Sequence, residues 1–121
     1  MIYRQAKESD ILQLINMHLA YFAEDYGKLS DEQIKTIRSQ LKDYFSKHLN
    51  RDLFVYVCED NAIIVSTVFL LIQEKPANPS FITGITGTIM NVYTLPQYRL
   101  YQKLGFVPYE SEHAYMRYKI Y

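Results

Sequence analysis

The hydrophobic period of this chain changes once, near residue 53, and that change sets what it can fold into. Before it, Ile11, Leu14, Ile15, His18, Leu19 and Phe22 return every three or four positions, and so do Ile34, Ile37, Leu41, Tyr44, Phe45 and Leu49. Residues so spaced share one face of a helix. After it, Leu53 to Glu59 and Ala62 to Gln73 are β-branched and aromatic runs separated by Asp60-Asn61, which reads as two strands and a tight turn. The second run lacks alternation and predicts a strand buried on both faces. Gly87 to Leu95 is a further strand, ended by Pro96.

Local signals bound these elements. Asp10, with Gln13 three residues on, predicts the N-cap of the first helix, and Ser30 with Gln33 predicts a capping box for the second. Gly27 is a left-handed terminator after Glu24-Asp25-Tyr26. Glu74 to Gly84 holds two prolines and an asparagine and predicts a loop. Arg99 to Leu104 reads as the last turns of a helix closed by Gly105, with strands expected at Phe106 to Tyr109 and His113 to Ile120. A short extended start at Ile2-Tyr3-Arg4 gives the order β, two helices, three strands, a helix stub and two strands. The expected class is α/β (α+β): a mixed, mainly antiparallel sheet with two N-terminal helices.

The chain has 121 residues, room for a single domain spanning 1–121, and 49% of them are apolar, enough for a packed core. Lysine plus arginine equals aspartate plus glutamate, 13 each, so no net field draws the chain to nucleic acid. The one cysteine, Cys58, sits inside an apolar run and reads as a small core hydrophobe. No metal-ligand spacing is present. The longest nearly apolar run, Ala62 to Ile72, is 11 residues, short of the roughly 18 that a membrane-spanning helix needs. No signal peptide is legible, and a cytoplasmic protein is the expectation.

Three segments resemble the GNAT superfamily of acetyl-CoA-dependent N-acetyltransferases. They are Ile2-Tyr3-Arg4-Gln5-Ala6 before Asp10 and an amphipathic helix, the stretch Met90-Asn91-Val92-Tyr93-Thr94-Leu95-Pro96-Gln97-Tyr98-Arg99, and Leu100-Tyr101-Gln102-Lys103-Leu104-Gly105-Phe106. The last two are similar to the family's fourth strand with the start of its coenzyme loop, and to the tail of its fourth helix. The sequence departs from the family between Arg99 and Leu100. There the family has a glycine-rich Q/R-x-x-G-x-G/A loop, a helix, a fifth strand and the first half of a fourth helix. Mean element lengths make that roughly 30–40 residues. The four glycines, at 27, 84, 87 and 105, do not rebuild such a loop. The expected architecture is therefore a GNAT-like sheet shortened by loss of the central coenzyme-binding helix and strand.

The resemblance implies transfer of an acetyl group from acetyl-CoA to an amine, carried by a small molecule or a protein. Acetyl transfer needs a polarised thioester carbonyl, a neutral amine and a protonated leaving thiolate. By resemblance, Asn91, Val92, Tyr93, Thr94 and Arg99 bind the coenzyme, with backbone N–H groups near Val92 and Tyr93 facing the carbonyl. Tyr101 stands where the family's tyrosine protonates the sulfur. Glu24 and Asp25 stand where the family lines its acceptor site, and either orients or deprotonates the amine. His113 and His18 are bases on titration range alone, although His18, on an apolar stripe, reads better as a hydrogen-bonded core residue.

Three or four lost loop bonds, at about 1.5–3 kcal/mol each, remove on the order of 5–10 kcal/mol, against about 8 kcal/mol for a micromolar ligand. Acetyl-CoA is thus expected to bind weakly. A second reading remains open, a non-catalytic remnant acting as a dimerisation or binding module. Thr88 to Tyr93 carries no charge and no proline, so nothing in it opposes pairing with another chain. A homodimer that exchanges strands is the expected assembly, with pairing to the chain's own C-terminal strand as the alternative.

Overall fold

The computed structural model describes residues 1–99 and the strand Met116–Lys119. Strand β1 (Ile2–Gln5) leads into helices α1 (Ile11–Tyr26) and α2 (Asp31–His48), followed by β2 (Leu53–Asp60), β3 (Ile63–Glu74), β4 (Ile85–Thr94) and β5 (Met116–Lys119). The five strands form one sheet in the order β1-β2-β3-β4-β5, and every neighbouring pair is antiparallel. The expected strands at 106–109 and the flanks of 116–119 lie outside the described residues, as do Leu100 to Tyr115. Among the described residues no helix is long and apolar enough to cross a membrane.

Both helices begin and end for identifiable reasons. Ser30 Oγ accepts from the Gln33 N–H at 3.1 Å while Gln33 Oε1 accepts from the Ser30 N–H at 2.9 Å, the predicted capping box. Gly27, at φ 82°, terminates α1. Asp10 does not cap α1 as expected. The stronger claim on its carboxylate is Arg4, which donates two bonds at 2.7 and 2.9 Å, and the Lys7 N–H adds a third. Arg4 also reaches Glu59 at 3.2 Å, so this buried carboxylate fastens the turn before α1 to β1 and β2. Gln13, read as part of that cap, bonds the sheet instead: its Oε1 accepts from the Ile64 N–H at 3.0 Å.

The helices cover one face of the sheet. Leu14, Ile15 and Met17 of α1 and Leu41 and Phe45 of α2 meet Leu53, Val55, Val57 and Phe69 from the strands. Strand β3 is not buried on both faces. Val65, Thr67 and Phe69 are buried, whereas Ser66, Val68 and Leu70 between them are half-exposed. Its apolar outward residues removed the alternation from the sequence without removing it from the structure. Among the described residues His18 packs against rings and makes no side-chain hydrogen bond, stacked on Phe69 at 5.7 Å and edge-on to Phe22 at 4.6 Å. Burial lowers its pKa to about 4. Cys58 is buried as expected, its Sγ 3.7 Å from Met1 Sδ.

Candidate functional site

Strand β4 divides in two. Its first half, Thr86 to Ile89, pairs with β3 on one side and with Lys119 to Met116 of β5 on the other. The edge that was expected to seek a second copy is thus covered, over this half, by the chain's own C-terminal strand. From Met90 onward no strand lies on that outer side among the described residues.

A bulge separates the halves. Phe69 pairs with Met90 and Thr67 pairs with Tyr93, so Val68 alone faces both Asn91 and Val92. Asn91 takes up the extra residue at φ 51°, a left-handed conformation that asparagine tolerates better than other residues with a side chain. Beyond the bulge the Leu95 N–H bonds the Val65 carbonyl at 2.9 Å. A trans peptide points its C=O opposite to its N–H, so the Thr94 carbonyl faces away from β3. Alternation along the strand puts the Val92 and Thr94 peptide groups on the outer side and turns the Tyr93 N–H toward β3. Of the two N–H groups expected to face a carbonyl, Val92 points outward.

The outward Thr94 carbonyl has a partner. Arg99, just past the 3-10 turn Pro96–Tyr98, donates Nε–H to it at 2.9 Å. The same guanidinium forms a two-pronged ion pair with Glu24, with Nη2 to Oε2 at 2.6 Å and Nη1 to Oε1. Tyr93 completes the cluster: its hydroxyl donates to Glu24 Oε2 at 2.9 Å, and its ring lies 5.5 Å from the guanidinium carbon. Tyr21 packs edge-on against that ring at 5.6 Å. Arg99 is 8% exposed, whereas the Glu24 side chain keeps 41% of its surface.

These contacts set the protonation of the cluster. Arg99 holds the Glu24 carboxyl below its ordinary value, with the Tyr93 hydroxyl acting in the same direction and partial burial opposing both. Burial, reinforced by the neighbouring carboxylate, pushes the Tyr93 phenol up to about 12. Tyr93 is therefore a hydrogen-bond donor and Glu24 an anion throughout the neutral range. Asp25 is exposed and makes no ion pair or hydrogen bond among the described residues. Glu24, Tyr93, Thr94 and Arg99 are brought together, Asn91 and Val92 form the adjoining bulge, and Tyr101 lies outside the described residues, as does His113. No group of three or more histidine, cysteine or acidic side chains able to hold a metal occurs among the described residues.

The pairing of Glu24 with Arg99 was not legible in the sequence, because 75 positions separate them. One signal pointed toward it. The last turn of α1 holds two acidic residues and no basic one, an arrangement a helix dipole disfavours and an outside cation offsets.

Two solved structures share this arrangement of strands and helices. A predicted acetyltransferase from Clostridium acetobutylicum, solved with acetyl-CoA, superimposes with a TM-score of 0.73 at 26% identity, over 86% of this chain and 66% of its own. A GCN5-related N-acetyltransferase from Ralstonia eutropha JMP134 gives 0.69 at 18% identity, over 87% of this chain and 78% of its own. The fold is that of the GNAT acetyltransferases. The chain spans just under two thirds of the Clostridium protein's length, so the GNAT fold is matched over part of that protein. No protein-family model and no curated protein matches the sequence.

Proposed function

We propose that this GNAT-like chain takes the thioester end of acetyl-CoA and passes the acetyl group to an amine, free or protein-borne. The observation that supports it most is the bulged half of β4, with the Val92 and Thr94 peptide groups on the side away from β3. When an amine adds to a thioester carbonyl, charge accumulates on the oxygen, and a fixed N–H stabilises it more in the transition state than before. In this reading Val92 supplies that donor, and Asn91 holds the bulge that turns it outward. Glu24, kept ionised, orients the incoming ammonium. Asp25, free of that ion pair, accepts its proton. Tyr101 protonates the departing thiolate, a role that rests on its resemblance to the family's tyrosine. The phosphate end has no such support, since no glycine-rich loop follows Arg99 and its guanidinium is engaged with Glu24.

Calorimetric titration separates the two ends of the coenzyme. Acetyl-CoA and S-acetyl-pantetheine, which lacks the nucleotide phosphates, are expected to bind at about millimolar strength and within a few-fold of each other. Thiol release should appear on addition of a primary amine. Low-micromolar acetyl-CoA with undetectable S-acetyl-pantetheine would contradict this division of the site.

The stretch from Met90 to Thr94, paired with a strand on one side among the described residues, favours a second reading, a non-catalytic module that pairs with another copy. In that case light scattering at micromolar concentration gives a particle near twice 14.3 kDa, with no thiol released from any acyl thioester. A monomer would sink it.

A further inference from the structure

We infer that Arg99 is an internal cap on the half of β4 that meets no outer strand among the described residues, closing the proposed thioester site in the chain as folded. The inference rests on the acetyl-CoA reading for what the cap excludes, and on geometry for the cap itself. The Thr94 carbonyl is turned away from β3, and the Arg99 Nε–H takes it at 2.9 Å. A ligand that lies along this edge and pairs with the strand needs that carbonyl as its acceptor. The guanidinium is held in place from the other side by the two-pronged pair with Glu24 and by the Tyr93 ring. Arg99 therefore joins three elements of the site at once: the strand edge, the carboxylate at the end of α1 and the aromatic between them.

The same geometry makes the cap releasable. Glu24 is two-fifths exposed on its side chain, so its carboxylate remains open to a competing cation. An ammonium-bearing acceptor that takes over Glu24 loosens Arg99 from Thr94 and uncovers the edge. Acceptor and thioester are then coupled, each binding better when the other has displaced its part of the arginine. This assigns Arg99 a role opposite in sign to a phosphate contact, which would strengthen binding of the coenzyme.

Titration of S-acetyl-pantetheine into wild type and Arg99→Gln decides between the signs. The cap predicts about tenfold tighter binding to the variant, the worth of one charge-assisted hydrogen bond that no longer has to be displaced. Unchanged or weaker binding overturns it. A carbon-13 titration of Glu24 runs in parallel, and its pKa should rise toward the ordinary carboxylate value in Arg99→Gln; an unmoved titration also overturns the cap. If neither protein binds either thioester, the acetyl-CoA reading falls and the Glu24 titration alone decides the cap. Should Arg99→Gln fail to fold, Glu24→Gln releases the arginine from the opposite end and predicts the same tightening.

Discussion

The two halves of β4 share a strand and differ in almost everything else. Thr86 to Ile89 is paired on both sides and behaves as sheet interior. Met90 to Thr94 is bulged, paired with a strand on one side among the described residues, and finished by a side chain in place of a strand. The first half shows what the backbone does when every group has a neighbour. The second shows a backbone whose outward groups meet no strand among the described residues, one of them the carbonyl that Arg99 takes, and this is where the proposed chemistry lies.

The sharpest way to break this comparison is to delete a backbone N–H from the doubly paired half and only a side chain from the bulged half. Thr88→Pro deletes a ladder donor in doubly paired strand and leaves its acceptor unsatisfied, which is expected to cost about 3 kcal/mol. Val92→Ala, at an exposed residue, should stay within about 0.5 kcal/mol while leaving the backbone donor in place. Urea melts of the two variants measure the contrast, and a similar loss in both would erase the distinction between the halves.

A second test concerns His18, which stacks on Phe69, the partner of Met90 where the halves meet. Its folded pKa of about 4 lies below the ordinary 6.5, so the unfolded chain binds the proton first as pH falls. Stability is then full above about pH 6.5 and declines toward pH 4, by roughly 3 kcal/mol at most. His18→Phe should flatten this part of the pH–stability curve. Glu24 and Asp10, whose pKa values are lowered, contribute stability that is lost only below the ordinary carboxylate range, so they do not mimic the effect. A curve unchanged in His18→Phe would show that the ring packing seen here does not exclude water.

A more modest effect isolates the bulge itself. Asn91→Val places a β-branched residue at φ 51° and should cost about 1–2 kcal/mol, while Asn91→Gly should be close to neutral. If Asn91→Val melts like wild type, the bulge is not held by this conformation. Thioester binding would then have to be explained without it.

Elements whose signals are local are legible in the sequence. Ser30 with Gln33, Gly27, and the switch from helical to extended period at Leu53 each act within a few residues, and each falls where expected. The resemblance carried by Met90 to Arg99 likewise led to the right fold. Features set by distant partners are not legible in the sequence. Asp10 looks like a cap until Arg4 arrives across the turn, and His18 looks like a polar core residue until Phe69 covers it. Apolar side chains on the outward face of β3 imitate burial because composition does not report which face the helices take. In the site, Glu24 and Asp25 are adjacent and alike in sequence, and the positions of Arg99 and Tyr93 make them chemically different. The 3-10 turn Pro96–Tyr98, which carries Arg99 back over β4, left no sign beyond its proline.

Among the described residues the sheet places each strand beside its predecessor, from β1 to β5. Neighbours are reached by reversals of direction, and none of the pairings requires a crossover. Such a meander is open-ended in topology. Whatever follows Thr94 can be lengthened or shortened without rethreading the four strands already laid down, and the helices packed over them keep their contacts. A GNAT scaffold can therefore vary the material after its fourth strand as an appendage, while the half-strand that faces it stays in place.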